Sequence, residues 1–479
     1  MLRAAYLALA MVLAAPLLGV EVPLGVDTLN HLARAHVRAH LADDHDLARL
    51  FALRDGLVPY MGLDWLLTPL VRAMPAVAAG RAATVLLVWG LLGAVLVLQR
   101  TVTGRVGAGP LLMGLVGWNA LMAWGFLNYV LGLSCALLGL AVWHAARERA
   151  WLLRLALFTA VATGLYCVHL LGLAAYGAMV GAYEAFGRPR AWRTSARDWL
   201  LLAAQFVPAG LLWVQLDAPL LAADNAVRWL MGVKLLILQS PFLFSGAGGG
   251  LDPGLAVALA CAAVLAWLTL AGAFRWDRRL AAPAVALMLM GLIVPTRAFG
   301  VTLVDLRFPT AAVCLAAAAV RLEPGAARAR VPLGLALAAG VLVQAGSASA
   351  EMQACDRQYS ELRAALEKVP RGAVLTAVLE DNPAQGAECS TLPIYNNMPL
   401  LVTTERSGYN PAFFAQATGV SVRGGLPTDQ KPWPAHLVTA ESLPRGGYLL
   451  WMHLGHRRPA PPGLVLLRGG SFFDLFSVP

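Results

Sequence analysis

Of the chain's 479 residues, 59% are hydrophobic and only 13% are charged, and its mean hydropathy is +0.65. That balance excludes an ordinary soluble domain and predicts an α-helical polytopic membrane protein. The net charge of +10 is read as a topology signal, because the basic residues fall in short loops between apolar runs, and no nucleic acid is implied.

Apolar runs near 4–20, 78–98, 106–124, 126–144, 151–167, 168–184, 199–216, 254–274, 281–296, 308–320 and 331–348 predict about eleven spans. Several are a few residues short of the roughly 20 needed to cross a bilayer. The first run, preceded by Arg3, has signal-peptide character, but no small-x-small site precedes the polar loop. An uncleaved anchor is therefore expected.

The first outer loop, 21–77, is the largest, and it opens on VDTLNHLARAHVRAHLADD. As a helix this stretch puts Asp27, His31, Arg34 and Arg38 on one stripe, since positions three or four apart share a face. An acid, an imidazole and two guanidiniums then lie beside the membrane. Asp43, Asp44, Asp46, Asp55 and Asp64 follow in the same loop and read individually as solvated charges.

Five short loops are rich in arginine: Arg100 and Arg105; Arg147, Arg149 and Arg154; Arg188, Arg190, Arg193 and Arg197; Arg275, Arg278 and Arg279; Arg321, Arg328 and Arg330. All five fall on the cytoplasmic side if the N-terminus is cytoplasmic. Segment 218–253 then lies outside, where WLMGVKLLILQSPFLF reads as an interfacial or re-entrant helix with Lys234 as an awkward charge.

From about residue 350 the pattern changes. CDRQYSELRAALEKV reads as an amphipathic helix, and GAVLTAVL, GYLLWMHL and SFFDLFSVP read as strands. Residues 1–350 are thus expected to form the membrane domain and 351–479 a small extracytoplasmic α/β domain, outside because the span count is odd. Of the six cysteines, Cys135, Cys167, Cys261 and Cys314 lie in predicted spans and read as small buried apolar groups. Cys355 and Cys389 both fall in the outer domain, where an oxidising compartment permits a disulfide or leaves two thiols.

The sequence contains no GxxxxGK[ST] loop, no GxGxxG after a strand, no HExxH and no paired CxxC motifs, so soluble nucleotide chemistry has no support. Polar residues instead collect at outer span ends: Asp27, Asn30, His31 and Arg34; Asn128 and Tyr129; Tyr166 and His169; Arg297, Asp305 and Arg307. Each also has a plainer reading. His169 with Tyr166 fits an interfacial aromatic pair, Asn128 fits a turn cap, and Arg297 and Arg307 fit snorkelling to lipid head groups.

DTLNHLAR, WGFLNYVLGL, the YCVHLLGL segment and DLRFP, with the apolar first helix, the acid heading the first outer loop and the external tail, resemble the GT-C superfamily. These are multispanning glycosyltransferases that use polyprenyl-phosphate sugars. The resemblance covers roughly residues 1–350 in layout and is close to a bacterial GT-C-like group. It implies Asp27 as general base or metal holder and Arg297 or Arg307 as a clamp on lipid phosphate. Many members carry two adjacent acids where this chain has Asp27 followed by Thr28, so a divalent metal is possible rather than required, and no other cofactor is expected.

The chemistry points the same way. Sugar transfer needs a carboxylate near an acceptor hydroxyl and cations near the departing phosphate. Asp27 is the candidate base, with His31, Arg34, Asn128, His169, Arg297, Asp305 and Arg307 as candidate substrate-binding residues. The expected partners are a polyprenyl-phosphate sugar donor, a glycan, lipid or protein acceptor, and membrane lipid. Arginine-rich, Ala-Leu-rich usage suggests a high-GC bacterium, hence an inner membrane with the tail in the periplasm. A transporter or flippase for a lipid-linked substrate and a non-catalytic envelope assembly protein are the alternative readings.

Overall fold

The computed structural model describes residues 2–54, 56–187, 196–215, 226–244, 253–270, 272–298, 300–322, 330–380, 389–390, 392–415, 419–428, 430–439, 442–453 and 459–479. Asp55, Arg188, Arg190, Arg193, Arg328 and the GAGGG at 246–250 lie outside the described residues.

Helix α1 (Leu2–Ala14) ends where Pro16 tightens the chain into a 3₁₀ turn, Ala15–Leu17. The first outer loop then folds as α2 (Thr28–His40), α3 (His45–Leu50), β1 (Phe51–Leu53) and α4 (Gly62–Ala73). Residues 28–35 of α2 are buried on every side, because α4 and the long helix α5 (Ala76–Thr103) pack against one side of it and the C-terminal domain covers the other. Helix α5 stops at Gly104, whose φ of +79° supplies the left-handed cap.

Run 106–124 is not one continuous helix. Pro110 opens a 3₁₀ stretch, Gly109–Leu115, and Asn119 then caps the single turn α6 (Ala120–Ala123), its side chain accepting from the backbone N–H groups of Leu121 and Met122. Helices α7 (Leu127–Ala145), α8 (Trp151–Val168) and α9 (Leu170–Ala182) follow the predicted runs, whereas run 199–216 divides into α10 (Ala196–Ala204) and α11 (Val207–Val214). Beyond them come α12 (Lys234–Gln239), α13 (Pro253–Leu270), β2 (Phe274–Trp276), α14 (Arg278–Ile293), a short β3–β4 hairpin (Arg297–Ala298 and Val301–Thr302), α15 (Arg307–Ala319) and β5 (Val320–Leu322), which pairs antiparallel with β2.

Five helices among the described residues are long and apolar enough to cross a membrane, and three shorter apolar ones accompany them, Leu2–Leu17, Leu259–Leu270 and Arg307–Ala319. Leu7, Met11, Leu152, Leu270, Ile293, Leu335 and Leu342 point outward with most of their surface uncovered. Exposed leucines on this scale belong to a lipid-facing surface. The chain is a multi-pass membrane protein.

The last span and the amphipathic segment after it form one unbroken helix, α16 (Arg330–Leu366). The predicted strands form β6 (Leu375–Leu379), β9 (Tyr448–Met452) and β11 (Phe473–Ser477), joined by β8 (Trp433–Pro434) and β10 (Val465–Gly469) in a sheet of order β10-β11-β9-β6-β8. Pairing is parallel at β6–β9 and β6–β8 and antiparallel elsewhere. The domain is docked on the first outer loop: β1 pairs antiparallel with β7 (Val420–Val422), and Asp44 accepts from Arg371 and Ser407. Cys355 on α16 forms a disulfide with Cys389.

Candidate active site

After the turn that ends α1, the chain runs against the α6 turn. The N–H groups of Val26 and Asp27 donate to Ala123 O at 3.1 Å and Trp124 O at 3.0 Å. Gly125 closes this contact at φ +71°, and a Cβ there would come within 2.7 Å of the backbone nitrogens of Asp27 and Thr28. Asp27 stands at the N-cap of α2, yet its carboxylate accepts no capping bond. The usual N-cap carboxylate spends its lone pairs on the first helical turn. Those of Asp27 are left for other work.

The carboxyl is half-buried. Burial pushes its pKa from 3.8 up to about 7, against the pull of Arg307, of Arg34 and of a hydrogen bond from Asn397. His31, one turn along α2, is buried and held well below the usual imidazole range by that burial and by Arg34, with a backbone bond at Gly125 working the other way. It is therefore neutral, and its Nδ1 lies 3.1 Å from Arg34 Nη2.

Arg34 donates from Nη2 to Asp64 Oδ1 at 2.7 Å, with the two side chains 4% and 0% exposed. Asp64 is thus not a solvated loop charge: the first turn of α4 carries it inward, and a buried carboxylate is tolerable only with a counter-cation. Arg34 is committed to that pair.

Arg307, at the start of α15, is buried and makes no ion pair among the described residues. Its Nη1 donates to Thr302 O at 3.0 Å and Leu303 O at 2.6 Å. Its guanidinium lies 4.1 Å from the Phe126 ring centroid and 5.9 Å from that of Tyr129. Tyr129 in turn donates to Arg307 O at 2.9 Å. Carbonyls and aromatic faces fix the guanidinium without cancelling its charge, which leaves a cation facing Asp27.

His169 caps α9, accepting at Nδ1 from Leu171 N–H at 3.1 Å, and is packed edge-on between Tyr60 and Tyr129 at centroid distances of 4.8 and 5.4 Å. Asn128 ties down the first outer loop: Oδ1 accepts from Leu63 N–H at 2.9 Å and Nδ2 donates to Tyr60 O at 2.8 Å. The turn reading of Asn128 describes these contacts.

Asp305 and Arg297 stand apart from this group. Asp305, fully buried, accepts at Oδ2 from Lys234 Nζ at 2.5 Å and Thr296 Oγ1 at 2.7 Å. Lys234, the awkward charge of the outer segment, also donates to Val294 O at 2.6 Å. Arg297 sits in the β3–β4 hairpin, its backbone paired with Arg228.

The structure therefore brings together Asp27, His31, Arg34, His169 and Arg307. Sequence reasoning missed Tyr60, Phe126, Gly125 and Asn397 beside them. The WGFLNY motif around Gly125 and Phe126 was a detectable signal, whereas Tyr60 declares itself only in the structure, by its positive φ of 66°. Asn397 had none, because its contacts reach across about 370 residues.

Among the described residues no three His, Cys, Asp or Glu side chains are grouped to hold a metal ion. Asp27 is also faced by Arg307 and Arg34, and Asp64 is taken by Arg34. A carboxylate already opposed by two guanidiniums is a poor ligand for a divalent cation, so the donor set does not fit one.

No protein-family profile and no curated protein matches the chain. Among solved structures, ArnT from Cupriavidus metallidurans in the apo state superposes with a TM-score of 0.50 at 12% identity, over 98% of this chain and 96% of that one. The same protein bound to undecaprenyl phosphate gives 0.49 at 13%, over 98% and 97%. At these identities the likeness is one of fold, and the chain carries the fold of ArnT.

Proposed function

We propose that this protein is a membrane glycosyltransferase that moves a sugar from a polyprenyl-phosphate donor to a cell-envelope glycan, lipid or protein on the outer face of a bacterial inner membrane. The observation that carries the reading is Asp27: a carboxyl released from capping, its pKa pushed by burial up to about 7, opposite Arg307, which makes no ion pair among the described residues. A base works best when its pKa lies near the working pH. The shared fold with apo ArnT supports the same assignment.

In this reading Asp27 takes the proton of the acceptor hydroxyl as its oxygen attacks the anomeric carbon. The bond from that carbon to the lipid phosphate breaks, its electron pair passes to the phosphate oxygen, and Arg307 meets the growing charge. One displacement inverts the anomeric centre. His31, neutral, and His169 contact the acceptor or sugar, while Arg34, fixed by Asp64, contributes field rather than a clamp. Arg297, in the β3–β4 hairpin, and Asp305, paired with Lys234, stand apart from these groups and hold the loop that delivers Arg307. The eleven-crossing topology, with a cytoplasmic N-terminus and periplasmic tail, belongs to the same proposal and is supported by the arginine-rich loops.

The test is sugar transfer in membranes supplied with a panel of polyprenyl-phosphate sugars, comparing wild type with Asp27→Asn at matched expression. Product that falls at least about 100-fold in Asp27→Asn, the range of general-base catalysis, supports the reading. Turnover indifferent to Asp27 moves the base elsewhere, and no turnover with any donor favours the transport or assembly reading.

A further inference from the structure

Asn397 belongs to the C-terminal domain, yet its side chain is buried at the N-terminus of α2. Its Nδ2 donates to Val26 O at 2.7 Å and leans toward Asp27 Oδ1 at 3.4 Å. Its Oδ1 accepts from Asn30 Nδ2 at 2.9 Å. Asn30 is itself oriented, since its Oδ1 accepts from Phe414 N–H at 2.8 Å and its Nδ2 also donates to Ala412 O at 3.1 Å.

This network fixes both amides. Phe414 N–H can only donate, so the Asn30 oxygen faces it and the Asn30 nitrogen faces Asn397. Val26 O can only accept, so the Asn397 nitrogen faces Val26 and Asp27. The orientation that satisfies every buried partner is therefore the one that offers Asp27 an N–H. Eight residues before Asn397, the Cys355–Cys389 disulfide fastens the same segment to α16.

We propose that the C-terminal domain completes the site, with Asn397 as a positioning residue that orients the Asp27 carboxylate and sustains its charged form. A carboxyl gains more from an N–H donor when it is ionised, so the donor favours the charged form. The other charged groups that act on Asp27 among the described residues are Arg34 on α2 and Arg307 on α15, with His31 on the same face of α2, and none of them comes from the C-terminal domain. Asn397 is the domain's own contribution. The inference rests on the glycosyltransferase reading for what Asp27 does, and not for how it titrates.

The experiment uses the full chain in detergent or nanodiscs and reads Asp27 directly. A hydrophobic carbodiimide labels protonated carboxyls, and mass spectrometry follows Asp27 labelling against pH in wild type, Asn397→Ala and Asn397→Asp. Asn397→Ala is expected to move the midpoint upward by about half to one pH unit, the worth of one net hydrogen bond. Asn397→Asp should move it further, because a like charge replaces a donor. Asn397→Gln, which keeps the amide, is a second variant that also serves if Asn397→Ala does not fold.

A midpoint is independent of how much protein folds, so a merely structural role lowers yield and leaves it in place. An unmoved midpoint in Asn397→Ala and Asn397→Asp overturns the proposal. So does a Gln variant that titrates as far from wild type as Asp does. If the midpoints move as expected but no donor supports sugar transfer, the positioning role stands and the transferase reading fails.

Discussion

Lys234 reaches Asp305 at 2.5 Å across 71 residues of sequence, and both side chains are buried, at 6% and 0% exposure. The pair joins the outer segment before α13 to the loop that delivers Arg307. Removing one partner leaves an uncompensated buried charge, so Lys234→Met and Asp305→Leu should each cost about 3–5 kcal/mol, while the double replacement should recover most of that loss. Chemical unfolding in detergent measures this. Additive losses would mean that the two charges do not stabilise each other.

Asp27 makes stability depend on pH in an uncommon direction. Its folded pKa of about 7 lies above the ordinary 3.8, so between those values the folded chain holds a proton that the unfolded chain has released. The stabilisation is complete below about pH 4 and is lost as pH rises through about 7. Asp27→Asn removes the titration with little change of shape. Thermal unfolding from about pH 5 to about pH 8 should show wild type falling relative to the variant, and parallel curves would contradict the raised pKa.

Gly125 carries a test of the contact behind Asp27. A methyl group there meets two backbone nitrogens at 2.7 Å and must also tolerate φ +71°. Neither neighbour is a flexible side-chain tip. Gly125→Ala should cost about 1–3 kcal/mol, in the range of strained backbone positions, and displace Asp27. Transfer should fall further than the folded fraction measured by size-exclusion chromatography. Equal falls would assign Gly125 to stability alone.

The disulfide predicts a pattern of thiol labelling. Cys355 and Cys389 should resist alkylation under denaturing, non-reducing conditions, whereas Cys135, Cys167, Cys261 and Cys314 are free and should react. The bridge closes a separation of 34 residues, so reduction should lower stability by about 3–4 kcal/mol on the chain-entropy scale. Six reactive thiols in protein isolated without reductant would remove it.

The sequence made some of this legible for local reasons. Asp27 was visible because an apolar run ends and an amphipathic pattern begins within a few residues, and spacing alone aligned it with His31 and Arg34. Three of the four five-residue strands, β6, β9 and β11, were visible as alternating runs. Asp64 was not, because a buried carboxylate and a loop carboxylate look alike until the partner is known, and Arg34 lies 30 residues away. Run 106–124 read as one continuous helix because its mean hydropathy hides what Pro110 and the Asn119 cap do to the backbone. Asn128 suited both a turn cap and a sugar contact by type, and its two backbone partners belong to a loop whose path only the fold reveals.

The unbroken helix α16 has 37 residues and so runs for about 55 Å, some 25 Å more than a hydrocarbon core. Gln344 ties it to Trp118 O and Phe242 O, and farther along Asp356 accepts from the N–H groups of Glu21 and Val22. It therefore acts as a mast of set height and rotation, stayed at two levels. One inserted residue above the lower stay would swing everything beyond it by about 100° and lift it by about 1.5 Å, carrying Asn397 away from Asp27 with no change in either residue. The gauge of this site is the length of a helix that does not touch it.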